Sequence, residues 1–588
     1  MEPASPSKPE VPSVPQEEVV AVPVQVENEK PQSTDPSPES PKQEKTPSGG
    51  YEKADFMAKE SVGKVMWKLT YPSVVAKVVS ALYAVCDTVF ISKMAGETEE
   101  IRSQALAAVS LAMPLEQGII HSFVMMISNG GSTLYGQTIG EKNETKSGKV
   151  IGNTYFLEVI VAILLAAIMP FVAKPLLYCL GASDSAGTLL PGYEYISVLF
   201  YGSICYAFSM ASADLIRGQG SALVSCAVSM TSAILNIIGD PFYIKVCGLG
   251  VAGASLSTVL ANLVSAVIGF FFMCSKRAIV PFKLRNLTPD CSLDKSIAVT
   301  GLSGFVSGFA GAFVTLISNK LVLHYSKYPA DDPRTTTVLG AWGALSKIYF
   351  VSFVPLIALA QGVMPLLAFS AGARLHKRFM RCAKLTLMWM IGITVVLEIV
   401  ILLFTKQIAH LFSYEDDFVS FFVPATRVVV SGVFLQPLVM TVFPMLQAVG
   451  KGGLAGMLLA MKTCVIPLLL QLGFSAIMDD YWGAVYSYPV VEVISALLAV
   501  ALYLKNKSSF AGELPVVAEK TETKEFCVCL AFTVRTYCFI QLIYMNARYS
   551  RESLIHTNHH HSSMNHHNCS KQTHNLENEL LFCNSSSN

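Results

Sequence analysis

Two aspartates interrupt stretches otherwise apolar enough to lie in a membrane: Asp87 in YAVCDTVFIS and Asp240 in LNIIGDPFYI. An ionisable group at that depth is costly, and it marks a functional site unless something neutralises it. Asn236 precedes Asp240 by four residues and so projects from the same helix face. Pro241 follows at once, and a proline inside a helix frees a backbone carbonyl one turn back. Two carboxylates, a carboxamide and a freed carbonyl are the donor set of a proton or sodium site. The bland alternative is that each aspartate caps a helix end or pairs with a lysine such as Lys77.

These residues need helices that place them in the bilayer, and the composition supplies them. The chain is 52% hydrophobic and only 14% charged, against roughly 25% charged in soluble domains. Apolar runs of about 20 residues or more, the length that crosses a bilayer as a helix, alternate with short polar connections from Met66 onward. They predict an all-α polytopic membrane protein with about twelve transmembrane helices, near 67–94, 106–140, 152–180, 190–218, 223–244, 250–274, 297–325, 339–372, 382–412, 418–449, 454–478 and 484–504.

The halves repeat. Aligning Arg217-Gly218-Gln219-Gly220 with Gln447-Ala448-Val449-Gly450 brings Gly253-Ala254 onto Gly483-Ala484, and Leu106-Ala107-Ala108-Val109 resembles Leu339-Gly340-Ala341-Trp342. Gly140 before one polar loop corresponds to Gly372 before another. In this frame Asn236 falls on Ile466 and Asp240 on Leu470, so the ionisable chemistry sits in one half only. A duplicated scaffold with lopsided chemistry is the signature of a secondary transporter. Two pseudo-symmetric six-helix bundles are expected, at 61–275 and 296–505, joined by a cytoplasmic linker at 276–295.

Lysine and arginine crowd three connections, with Lys142, Lys146 and Lys149 in one, Lys276, Arg277, Lys283 and Arg285 in another, and Arg374, Lys377, Arg378, Arg381 and Lys384 in a third. The positive-inside rule puts these, and both ends of the core, in the cytoplasm. The opposite loops carry acids such as Glu99, Glu100, Asp416 and Asp417. The membrane itself, plasma or internal, is not specified by this pattern.

Residues 1–60 read as a disordered cytoplasmic tail, since the proline- and charge-rich opening holds too little apolar surface to offset its ordering entropy. It does not resemble a cleavable signal peptide, so the first span is expected to act as its own insertion signal. Residues 506–588 read as a low-complexity tail. Within it 526–545 is apolar, but Arg535 near its middle argues against a span. The histidines at 559–561 and 566–567 read as part of that tail and not as a metal site.

The 14 cysteines are scattered through apolar segments without paired CxxC units, so neither disulfides nor a zinc site is expected. HExxH, Walker A and GxSxG patterns are absent, which argues against an enzyme and against ATP-driven transport. No basic block with interleaved aromatics suggests nucleic acid. Other charges in or near spans, among them Glu116, Glu158, Asp214, Arg217, Glu398 and Glu492, read as structural or topological, with Glu492 the best candidate beyond the aspartates.

The ordered set CDTVFIS, ALAAVSLAMPLEQ, IRGQG, LNIIGDPFYI and GLGVAGASLST resembles the multidrug and toxic compound extrusion (MATE) family, closest to its DinF-like and NorM-like branches, over roughly Met66 to Lys505. The resemblance implies a cation or proton site in the amino-terminal bundle, made by Asp87, Asn236, Asp240, Thr258 of the sixth helix and Tyr195 of the fourth. It implies export of organic cations or other amphipathic compounds by proton or sodium antiport, with the bundles rocking between inward-open and outward-open forms. It implies no cofactor beyond the coupling ion, a small-molecule organic substrate, and a protein working as a monomer in the lipid bilayer. Some relatives carry further acids in the second half; here Asn319 stands where Asp87 would repeat, so coupling is expected to rest on the first half. The alternative is a flippase for a lipid-linked saccharide on a similar frame.

Overall fold

The structure, a computed structural model, describes residues 50–92, 99–185, 187–326 and 333–511, with the backbone alone described at 81–89, 91–92, 99–100, 102–103, 333–336 and 511. The opening polar stretch, the apolar segment 526–545 and the histidine-rich tail lie outside the described residues.

Among the described residues every regular element is a helix. A lipid-facing backbone must satisfy its polar groups internally, and only a helix does so within one span. Ten helical segments are long and apolar enough to cross a bilayer, and Leu189–Tyr201 with Ser203–Gly218, bent by 53° about Gly202, make an eleventh. The 31-residue helix Val62–Ser92, with Pro72 inside it, occupies the first expected span. All twelve expected spans therefore fall on a helix or on helices in series, and the chain is a multi-pass membrane protein.

The repeat is written in the backbone. Gly220 and Gly450, equivalent in sequence, both end a helix in the left-handed region, at φ +88 and +78. Lys142 and Arg374, each two residues beyond an equivalent glycine, both adopt positive φ, at 57 and 54. Gly253 and Gly483 both press on the helix before them, where a Cβ would strike the Tyr243 carbonyl or the Ser475 backbone.

One difference is equally informative. The stretch from Leu106 to Gly140 is one residue longer than Leu339 to Gly372. The second half runs as an unbroken α-helix, Pro333–Gly372. The first half divides into Glu99–Leu115, a π-turn at Glu116–His121 and Ser122–Gly140. A π-turn is how a helix absorbs an extra residue, and such turns favour functional sites.

The halves meet tightly at one end. A Cβ on Gly140 would overlap the Phe369 carbonyl, and one on Gly372 would overlap the Gln137 carbonyl, so each equivalent glycine packs on the opposite half. Gln137 Nε2 donates across the seam to the Ala448 carbonyl at 2.7 Å. Small residues let helices approach closely in a membrane, where dispersion and hydrogen bonds replace the hydrophobic drive. The basic connections lie at this end: Lys53 Nζ donates to the Lys276 carbonyl at 2.8 Å, and Arg378 donates to the Glu60 carbonyl at 2.6 Å.

Three boundaries differ from expectation. Tyr51–Ala54 and Asp55–Lys59, assigned by composition to the disordered tail, are short helices, because Tyr51, Ala54 and Met57 bury against the core. On their exposed face Lys59 donates to Asp55 at 2.6 Å and holds that carboxyl below its ordinary range. The expected linker yields its last residues to the helix Cys291–Thr300, capped by Asp290. At the far end Lys507–Ala511 is helical, with Phe510 buried against Phe379 and Tyr503.

Candidate cation site and central cavity

Asp240 ends the helix Ala222–Pro241 and is fully buried, as is Asn236 one turn earlier. Asn236 Nδ2 donates to Thr258 Oγ1 at 2.9 Å, on the neighbouring helix Gly250–Cys274. That bond leaves Asn236 Oδ1 buried with no hydrogen-bond partner among the described residues. An orphaned carboxamide oxygen beside a carboxylate and a hydroxyl suits a hard cation, which takes oxygen ligands.

Thr258 also lines a small pocket with Glu116, His121, Leu199, Tyr206 and Asn262, about 30 Å³ in volume. That is room for one water or a bare cation. The bend at Gly202 makes the pocket: a Cβ there would collide with Val259, so the fourth span can fold around the sixth only at glycine. Tyr195, from the first segment of that span, reaches Glu116 with its Oη at 3.4 Å from Oε2. Glu116 Oε1 also lies 3.6 Å from His121 Nε2.

Four of the five residues named by the resemblance thus fall in one region, with Asn236 bonded to Thr258 and Tyr195 bonded to Glu116 across the pocket that Thr258 lines. Asp87 lies in the helix Val62–Ser92, and its side chain is outside the described residues. Glu116 and His121 are the residues the sequence reading passed over. Glu116, among the charges that read as structural or topological, is 7% exposed and belongs to the cluster. The signal was present in the extra residue between Leu106 and Gly140, since the π-turn that absorbs it begins at Glu116.

His121 faces two ways. It closes the small pocket and also lines a cavity of about 260 Å³ between the halves. Its ring stacks on Tyr206, with centroids 4.6 Å apart, and its Nδ1 lies 2.8 Å from Gln117 Oε1. The cavity is lined by Met125, Phe350, Met440 and Phe443 together with polar groups such as Asn129 and Gln447, and its other titratable groups among the described residues are Lys77, Asp214 and Arg217. Arg217 pairs with Asp214 and donates to Gln361 Oε1 at 3.2 Å.

The second half holds a different arrangement. Glu492 is fully buried, with Lys462 Nζ 2.5 Å from one oxygen, and Tyr349 Oη at 2.6 Å and Gln436 Nε2 at 3.0 Å on the other. This network stands beside a second chamber of about 260 Å³ lined by Ser318, Asn319, Trp342 and Tyr488. Glu158 and Glu398, both read as topological, are buried as well. Ser128 donates to Glu158 at 2.6 Å, while Glu398 has no hydrogen-bond partner among the described residues. No group of three metal-ligating side chains occurs among the described residues.

The MatE family model matches residues 72–242 and 302–473, one block in each half. The chain is 22% identical over 456 residues to the multidrug export protein MepA of Staphylococcus haemolyticus, covering 77% of this chain and 96% of that protein. It is similarly 22% identical to MepA of Staphylococcus aureus, over 76% and 94% of the two chains. Among solved structures it resembles an outward-facing conformation of a multidrug resistance MATE family transporter, with TM-score 0.68, 21% identity and coverage of 79% and 100%. It also resembles a MATE protein in the straight conformation, with TM-score 0.70, 20% identity and coverage of 79% and 99%.

Proposed function

Because the chain belongs to the MatE family, we propose that it is a secondary active transporter that exports organic cations or other amphipathic compounds, drugs among them, by proton or sodium antiport. The observation that carries this reading is the position of His121, which separates the oxygen-rich pocket of the first half from the cavity between the halves. An ion in one and a solute in the other would share a wall. Neither can change without altering the packing of the π-turn between them, and a ligand shifts a conformational equilibrium only through unequal affinity for the two states.

In this reading Asp240, Asn236, Thr258, Tyr195 and Glu116 hold the coupling ion, with Asp87 joining them. The glycine seam at the basic end is one closed gate of an alternating-access cycle, and that end faces the cytoplasm. A single chain suffices, because both halves supply walls of the cavity. No cofactor beyond the coupling ion is required.

The test is dye efflux from proteoliposomes holding the full chain, under separately imposed proton and sodium gradients. One of the two should drive efflux, and Asp240→Asn should abolish it while leaving membrane insertion intact. Full gradient-driven efflux by the Asp240→Asn protein would sink the assignment.

A further inference from the structure

Lys77 sits at the midpoint of the helix Val62–Ser92. At 1.5 Å per residue, about 22 Å of helix separates it from either end, well beyond the reach of a snorkelling lysine. It faces the central cavity and makes no ion pair among the described residues. The bland alternative, an ion pair between Lys77 and Asp240, is not formed.

The other charges around the cavity are already engaged. Asp214, the one carboxylate in the lining among the described residues, is paired with Arg217. Glu116 faces the smaller pocket, and Glu492 lies behind Lys462. His121 can only add positive charge. Among the described residues the cavity therefore carries one uncompensated cation and no free anion, between walls where Met125, Met440, Phe350 and Phe443 stand beside uncharged polar groups such as Gln117 and Asn129. A second cation brought into such a low-dielectric space would be repelled, whereas an anion would complete a pair that the protein lacks.

We infer that the central cavity binds the anionic head of an amphipathic compound, a carboxylate, sulfonate or phosphate on an aromatic or alkyl body, with Lys77 as its counter-charge. This rests on the exporter reading and narrows its substrate class. The apolar body has somewhere to go: Phe350, Phe353, Ile357 and Thr463 line both the central cavity and the second-half chamber, which together exceed either alone. Lys462 at that boundary is already bound to Glu492, so Lys77 is the charge that selects.

The experiment compares two probes with the same fluorophore, dansylglycine and (2-dansylaminoethyl)trimethylammonium, by equilibrium dialysis against the purified full chain without any gradient. The wild type should bind the anionic probe at least about tenfold more tightly, a difference worth about 1.4 kcal/mol. Lys77→Gln should erase that preference and Lys77→Arg should keep it, each variant being checked for an unchanged thermal midpoint. Tighter binding of the quaternary ammonium by the wild type, which needs no variant to fold, would overturn the inference. So would an undiminished anion preference in folded Lys77→Gln.

A competition arm separates the sources of the anion. Displacement of dansylglycine by 1-naphthaleneacetate supports a free amphipathic anion. Displacement by dioleoyl phosphatidic acid alone keeps the charge rule but assigns the head to a lipid, and displacement by neither overturns the inference. Since no gradient enters these measurements, efflux that fails under every gradient while the anion preference stands would overturn the exporter reading alone.

Discussion

The two halves of this molecule place their charges on corresponding helices but one turn apart. The register that sets Gly253 on Gly483 also sets Ser232 on Lys462 and Asn262 on Glu492. In the first half Ser232 donates to Asn262 at 3.0 Å, a neutral bond. In the second half the same two positions form the buried Lys462–Glu492 pair. One and two turns further along, the first half carries Asn236 and Asp240 where the second has Ile466 and Leu470. Glu116 likewise falls on Tyr349, which donates to Glu492. Nearly the same scaffold thus supports an internally neutralised network in one half and an oxygen cluster with an orphaned acceptor in the other. The lesson concerns what a buried charge is for: a carboxylate whose counter-charge is built in is already satisfied, whereas the first half leaves the buried Asn236 Oδ1 with no hydrogen-bond partner among the described residues.

The sharpest way to break this comparison is to remove one carboxylate from each half. Asp240→Asn should reduce gradient-driven efflux by about a hundredfold or more, equivalent to roughly 2.7 kcal/mol, with little change in the thermal midpoint of the detergent-purified protein. Glu492→Gln should do the reverse in kind: it strands Lys462 in the interior, at a cost of about 3–5 kcal/mol in stability. Replacing both, Glu492→Met with Lys462→Met, should recover most of that loss, because a buried pair exchanged for apolar residues is often neutral. If the double variant is stable but no longer couples efflux to the gradient, the asymmetry between halves is wrong.

Where the halves are equivalent, the effects should match. Gly140→Leu and Gly372→Leu each force a side chain into a carbonyl of the opposite half. Each should shift the population away from the closed seam and slow turnover by about tenfold, equivalent to roughly 1.4 kcal/mol. Distances between spin labels on Lys146 and Lys377 report the opening, and a large effect from one glycine without the other would show that the seam is not symmetric. The smallest effect on transport belongs to Tyr349→Phe, which removes one hydrogen bond to Glu492 and should cost about 1–3 kcal/mol in unfolding free energy, with transport rate retained. A transport defect there would mean that the second-half network moves during the cycle.

Much of this arrangement was legible in the residues. The twelve spans, the repeat and the pairing of Asn236 with Asp240 on one helix face all depend on order along the chain. So did the shift of ionisable chemistry into the first half, although Glu492 shows that the second half is not devoid of charge. What could not be read was which charges meet. Lys462 and Glu492 belong to different spans, and nothing in either segment names the other. Glu116 reads as structural or topological because hydropathy cannot distinguish a charge near a span end from one turned inward by an extra residue. Tyr51, Met57 and Phe510 lay in segments of disordered composition, yet they are buried because the core offers them a surface to cover.

The sequence by itself determined the helices, their number and their duplication, because a bilayer admits few backbone solutions and the apolar runs are long enough to leave little choice. It also determined that one half carries buried carboxylates which the other lacks at the same positions. Only the tertiary structure decided which charges are satisfied: Arg217 by Asp214, Lys462 by Glu492, and Lys77 by no described residue. The reason is geometric. Charge compensation in a low-dielectric interior falls off over a few ångströms, and those ångströms are set by how helices from distant parts of the chain cross, bend at Gly202 and turn at Glu116.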